Sequence, residues 1–273
     1  MIEPHRNFSD AWLWLLYQIY NFGSPVSSRG YETHEILGVQ LRVTDLTKNI
    51  LVHPIRNLSY RFAVAEWLWI AAGREDVATI GRYNRHLAQF SDDGVNFAGA
   101  YGKRLAPQID YLLEQLKKPG SRQAVASIWT PSPAASKDIP CTMTWQLLAR
   151  DGKLHAIVNM RSSDVWLGIP YDFYNFSQLT NSLSGELGLL PGSLTFNLGS
   201  SHLYDRDREK AQKVLDQSDL LGALSSPWLP SRPLADDIFN FEELLMSPWS
   251  IYRDALQAHT NADALACLKE LSK

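Results

Sequence analysis

Cysteine is nearly missing from this chain of 273 residues, which holds only Cys141 and Cys267 and no CxxC pair. Neither a disulfide framework nor a zinc knuckle is expected from so little sulfur. Charge of one sign is missing too: 26 Lys and Arg face 29 Asp and Glu, a formal balance of −3. No basic stripe gathers along any segment, so a dedicated nucleic-acid binder is not expected, and phosphate recognition falls to a few placed arginines. The longest apolar run, Ala11 to Phe22, contains Gln18 and Asn21 and is too short to span a bilayer, which leaves no membrane partner expected. Glu3 and Asp10 lie around its start and no small-residue cleavage site follows, so no secretion signal is expected and a reducing cytoplasm is the expected location. With neither HExxH nor a glycine-rich phosphate loop, metal and P-loop chemistry are not expected.

What the chain does have is aromatic mass: 9 Trp, 11 Tyr and 10 Phe, within 45% hydrophobic residues overall. That is ample for one large packed core. The patterning predicts helices over 10–20, 58–72, 109–118, 173–185 and 211–215, with Ser9 or Asp10 capping the first. Strands are predicted over 36–43, 124–129, 142–149, 154–160 and 193–198, with Asp151-Gly152 as a hairpin turn. Residues 24–31 read as a polar turn region, 225–233 as a Pro/Ser-rich connection, and 251–271 as one or two closing helices. No internal repeat interrupts this order. A single domain of mixed α and β elements, 1–273, is expected.

Four segments could carry chemistry. Cys141 follows Pro140 at the head of a strand, where a loop enters a sheet; it is either a nucleophile needing a nearby cation or a buried structural thiol. Arg161-Ser162 suits a phosphate, a guanidinium fork beside a hydroxyl, or else is a surface pair with Asp164. Glu66 sits among Val64, Ala65, Trp67, Leu68 and Trp69, so it has either a raised pKa suited to proton transfer or a place at the helix edge. His202 and Tyr204 share one face of an extended segment and could hold a sugar hydroxyl, or satisfy each other within the sheet.

Taken in order, these pieces resemble the thymidylate synthase family over about Arg29 to Tyr204. The resemblance rests on Glu66-Trp-Leu-Trp, Gly99-Ala-Tyr-Gly-Lys103, Ser121-Arg122, Pro140-Cys141, Gln146, Arg161-Ser162, Asp164, Leu167-Gly168-Ile-Pro170 and His202-Leu-Tyr204. It implies an α/β (α+β) fold, a mixed β-sheet with flanking helices whose sheet face forms a homodimer interface. It also implies 5,10-methylenetetrahydrofolate as co-substrate, no metal, and a nucleoside monophosphate as substrate. By position, Cys141 resembles the nucleophile that adds to C6 of the pyrimidine, Glu66 the acid that organises water and proton movement, and Tyr101 a tyrosine of the same cavity. Arg29, Arg161 and Ser162 resemble phosphate ligands, and Arg122 an arginine reaching the partner's site. Gln146 falls on the substrate side, and His202 and Tyr204 resemble the pair at the sugar 3′-hydroxyl. Asp164, Leu167, Gly168 and Tyr171 fall where the family contacts folate.

Several positions depart from the family pattern. Asp172 stands where an asparagine reads uracil, and a carboxyl group suits the amino edge of cytosine. Thr142 replaces the histidine after the nucleophile; with Asn159-Met-Arg-Ser162 it is similar to the phage deoxycytidylate hydroxymethylases. Leu87 takes the place of a folate-side tryptophan, and the divergent segment 225–273 lacks the apolar tail that closes over folate. A smaller wall and a poorer lid should admit water to the C5-methylene intermediate, giving hydroxymethyl rather than methyl. Gln123 stands where a second arginine accompanies Arg122, leaving Lys103 or Arg104 as substitutes. The expectation is therefore a CMP or dCMP 5-hydroxymethyltransferase. A dCMP methylase, a dUMP-methylating synthase, a catalytically silent nucleotide-binding relative, and an unrelated protein with a structural Cys141 are the rivals.

Overall fold

A computed structural model of the chain describes residues 4–131 and 135–224. Helix α1, Phe8–Phe22, buries Phe8, Trp12, Leu15, Leu16 and Ile19 along one face. Its cap is Asn7, whose side chain accepts from the Asp10 N–H at 2.9 Å, so the helix starts earlier than Ser9 or Asp10. Residues 24–31 are not a turn region but a hairpin. Strand β1, Ser24–Ser28, pairs antiparallel with β2, Tyr31–Val43, around Arg29 and Gly30 at φ of 53° and 80°. Both central residues occupy the left-handed region that a tight hairpin needs.

After β3, Ile50–Val52, helix α2 runs over Tyr60–Ala71, capped by Ser59. Short helices α3, Val77–Ile80, and α4, Tyr101–Leu105, precede α5, Ile109–Leu116. Gly102 lets α4 lie on α2, because a Cβ there would stand 2.5 Å from the Ile70 carbonyl oxygen. Strands β4, Val125–Ser127, β5, Thr142–Arg150, and β6, Lys153–Asp164, follow; β4 is shorter than expected. The hairpin between β5 and β6 turns at Asp151-Gly152 as expected, at φ of 50° and 72°.

Helix α6, Ile169–Glu186, begins four residues before its predicted start, with Pro170 in its first turn, where a missing N–H costs nothing. It then crosses to β7, Leu190–Tyr204, which lies parallel to β6. Helix α7, Asp205–Asp216, and strand β8, Gly222–Leu224, complete the described residues. The six-stranded sheet has the order β1-β2-β7-β6-β5-β4, antiparallel except between β6 and β7, and β3 pairs separately with β8. Mixed sheet and flanking helices agree with the expected fold class. The inward residues Leu41, Trp145, Val158 and Phe196 pack with Phe173 and Phe176 of α6, so the core lies between sheet and helices. The segments 225–233 and 251–271, and Cys267, lie outside the described residues.

Candidate active site

Parallel pairing of β6 and β7 sets Arg161 to Asp164 beside Ser200 to Tyr204, with Asp164 opposite His202. The hairpin tip carrying Arg29 closes over the same end of the sheet. Together with the head of β5 these elements line a cavity of about 280 Å³ that includes Arg29, Cys141, Arg161, Ser162, Asp164, Gly168, Asp172, His202 and Tyr204. A second cavity of about 180 Å³ lies between α2, α4 and α6, lined by Glu66, Tyr101, Asp172 and Asn175 and walled by Trp69, Ile80, Leu87, Phe90 and Phe97. Asp172, in the first turn of α6, faces both.

Cys141 sits at the mouth of β5, with Arg161 Nη2 3.8 Å from its Sγ. Burial pushes the thiol above its usual pKa, while the positive charges of Arg161 and Arg29 pull it down. Arg161 is also a brace: its Nε donates to the Pro140 carbonyl oxygen at 3.0 Å and its Nη2 to that of Ile139 at 2.9 Å. The preceding loop is fixed a second time where Asp138 accepts from the Gly99 N–H at 2.7 Å. A Cβ on Gly99 would stand 2.5 Å from the Asp138 carbonyl oxygen, so only glycine allows this approach. Tyr101, two residues on, accepts from the Thr142 N–H at 3.3 Å. The helix α4 and the loop bearing Cys141 are thereby tied together.

The acids are the unusual part of the site. Burial raises the Glu66 carboxyl to about 7, against a hydrogen bond from Asn175 that holds it down. Asp172 is pushed well above the carboxylate range by burial, with the charges of Glu66 and Asp164 adding to the effect. Burial thus favours its neutral form, which offers one donor and one acceptor. Asp164 is also raised by burial, although its Oδ1 accepts from the N–H groups of Trp166 and Leu167 at 2.7 and 2.9 Å. Burial keeps His202 below its usual value, hence neutral, and its ring meets Tyr204 edge-on at 5.2 Å between centroids.

Most of the residues singled out from the sequence converge here, but not all. Leu87 does line the apolar cavity. Asp164, expected on both the substrate and the folate side, and Gly168 line the cavity holding Cys141 and not the apolar one. Tyr171 lines neither; it packs edge-on against Phe62 and its hydroxyl accepts from the Ser59 N–H at 3.2 Å. Leu167 is exposed and lines neither cavity. Gln146, on β5 between β4 and β6, donates its Nε2 to the Arg122 carbonyl oxygen at 3.1 Å, and the exposed Arg122 likewise stays outside both cavities. Neither substitute for the missing arginine is free: Lys103 pairs with Glu75, and Arg104 donates to the carbonyl oxygens of Ile128 and Ala98. Sequence reasoning missed Asn175 and Glu35, which lines the Cys141 cavity and accepts from the Ser200 hydroxyl. Neither lies in a recognisable motif.

The thymidylate synthase family model matches residues 10–243, a span that takes in every residue lining the two cavities. The chain belongs to the thymidylate synthase family. It is also similar to the deoxyuridylate hydroxymethyltransferase of Bacillus phage SP01, at 32% identity over 226 residues. That alignment covers 73% of this chain and 59% of the phage protein, so the chain spans well under two thirds of its relative's length. As a thymidylate synthase family member it shows, among the described residues, no helix long and apolar enough to cross a membrane. No cluster of three His, Cys, Asp or Glu placed for a metal ion is found among those residues.

Proposed function

We propose that this thymidylate synthase family member is a pyrimidine nucleotide C5 hydroxymethyltransferase acting on a cytidine monophosphate, CMP or dCMP. The reading rests on one observation: a buried Asp172 at the junction of two cavities, its neutral form favoured by burial, facing the pocket of Cys141 on one side and the apolar pocket on the other. Its carbonyl oxygen can accept from the exocyclic amine of cytosine while its hydroxyl donates to N3. N3 of cytosine is a ring base able to take that proton as the ring is attacked, whereas O4 of uracil is a far weaker one. Proton gain at N3 makes C6 more electrophilic towards the Cys141 sulfur.

The remaining residues divide the work by position. Arg29, Arg161 and Ser162 bind the 5′-phosphate, and His202 and Tyr204 hold the sugar hydroxyl. Tyr101 and Glu66 line the far side of the base, where Glu66, with a pKa of about 7, can hold or release a proton at C5. The apolar wall of Leu87, Phe90 and Phe97 fits the flat pterin of 5,10-methylenetetrahydrofolate, which would supply the one-carbon unit when bound. Arg56 is buried against the rings of Trp166 and Tyr171, with the Tyr171 hydroxyl as a side-chain hydrogen-bond partner and the charges of Asp164 and Asp207 acting on it. Leu87, smaller than an aromatic residue, leaves room for water at the C5-methylene carbon.

A homodimer through the outward face of the sheet is part of this reading. There Gln40, Asn197, Asn159 and Thr144 join in a hydrogen-bonded row across four strands at 2.8–2.9 Å. In that homodimer Arg122 is proposed to reach the partner's phosphate site, as the family resemblance implies.

A second reading, deoxyuridylate as substrate, is favoured by the name of the phage relative and by the donor that a neutral Asp172 also offers to O4. Incubation with methylenetetrahydrofolate and each of CMP, dCMP, UMP and dUMP, with products identified by mass, separates the two. Hydroxymethylated cytidylate is expected; turnover of dUMP alone would replace the first reading with the second, and no product from any of the four would leave a silent nucleotide-binding protein.

A further inference from the structure

Glu66 needs a partner that tolerates both of its protonation states, since a carboxyl titrating near neutrality spends time in each. An ionised carboxyl only accepts hydrogen bonds, while a neutral one also donates. Asn175, one helical turn beyond Asp172 on α6, is 2% exposed, and its Nδ2 donates to Glu66 Oε2 at 2.8 Å. The other end of the same amide, Oδ1, is buried with no partner among the described residues. Glu66, Asp172 and Asn175 all line the apolar-walled cavity.

We propose that Asn175 is the positioning residue of Glu66, holding the carboxyl aimed into the cavity in both protonation states by presenting either end of its amide. Rotation about the terminal side-chain bond exchanges Nδ2, the donor for the carboxylate, for Oδ1, the acceptor for the carboxylic acid. The unpartnered Oδ1 leaves the amide free to turn: were it committed to a donor, presenting it to Glu66 would break that bond. A cationic neighbour would hold the carboxyl ionised and block the exchange. The titratable groups facing Glu66 are Asp172 and Tyr171 from α6, Tyr101 from α4, and Asp138 from the loop before β5; none supplies a positive charge.

The inference rests on the proton-transfer role given to Glu66 above, yet its test needs no nucleotide. The carboxyl stretch of Glu66, isolated by infrared difference against Glu66→Gln in the ligand-free full chain, is followed through a pH titration. Wild type should titrate near 7, and Asn175→Leu should raise the midpoint by roughly one pH unit as the donor is lost. Asn175→Ala replaces it should the leucine variant fail to fold, with an upward move again expected. Asn175→Ser, whose hydroxyl both donates and accepts, should bring the midpoint back towards wild type. The pH profile of tritium release from C5 should move with the infrared midpoint. An unmoved midpoint in a folded leucine or alanine variant, or a serine variant indistinguishable from alanine, would overturn the assignment. A shifted midpoint in a protein that turns over none of the four nucleotides would keep Asn175 in its role and reject the proposed reaction.

Discussion

Arg161 holds the backbone of the loop that presents Cys141 and approaches the sulfur itself, its Nη2 bonding the Ile139 carbonyl oxygen at 2.9 Å and lying 3.8 Å from Sγ. One guanidinium thus fixes the loop and opposes the effect of burial on the thiol. Arg161→Ala should raise the Cys141 pKa further and slow iodoacetamide alkylation at pH 8 by roughly threefold to tenfold. Arg161→Lys, keeping charge without the fork, should recover most of the alkylation rate but not the melting temperature. Equal rates in wild type and Arg161→Ala would show that burial alone governs the sulfur.

Asp172→Asn replaces an acid able to give its proton to N3 with an amide that cannot. The ratio of kcat/KM for cytidylate over uridylate should fall on the order of a hundredfold, the size expected when a buried polar pair is mismatched. Parallel kinetics on the four nucleotides read this directly, and an unchanged ratio would place base discrimination elsewhere.

Glu66 ties stability to pH. Its carboxyl is raised in the folded chain, from 4.5 to about 7, so the folded state binds the proton more tightly than the unfolded state does. The contribution is fully present below pH 4.5 and is lost as pH rises through 7. The loss amounts to about 3 kcal/mol. Glu66→Gln should therefore fall less in stability than wild type between pH 4.5 and 8, by about that amount, in urea unfolding at the two pH values. Parallel curves for the two proteins would contradict the raised pKa.

Leu87→Trp should narrow the apolar cavity where water is proposed to enter. Methyl product and dihydrofolate should increase relative to hydroxymethyl by on the order of tenfold, equivalent to about 1.4 kcal/mol between the two outcomes. Absorbance of dihydrofolate during turnover measures it; a product ratio unaffected by the indole would remove Leu87 from the choice.

Legibility from sequence followed local physics. Asp151-Gly152 was readable because both residues tolerate the positive φ of a tight hairpin, and α2 was readable from its long apolar run. The hairpin of β1 was not, since Ser24–Ser28 is almost wholly exposed at the sheet edge and shows no alternation. The start of α6 was hidden by Pro170, which suits a first helical turn as well as a loop. Asn175 looked like any polar residue in a buried helix.

Residue chemistry by itself marked Cys141 and Glu66 as candidates, carried the family resemblance and gave the mixed α and β character, because each depends on side-chain type and on spacing along one element. Only the tertiary structure decided that Arg161 braces the loop of Cys141, that Asn175 meets Glu66, and that Asp172 looks into two cavities. Those relations join groups 20, 109 and still other distances apart along the chain, and spacing within a single element carries no information about contacts made when β6, β7, α2 and α6 pack together.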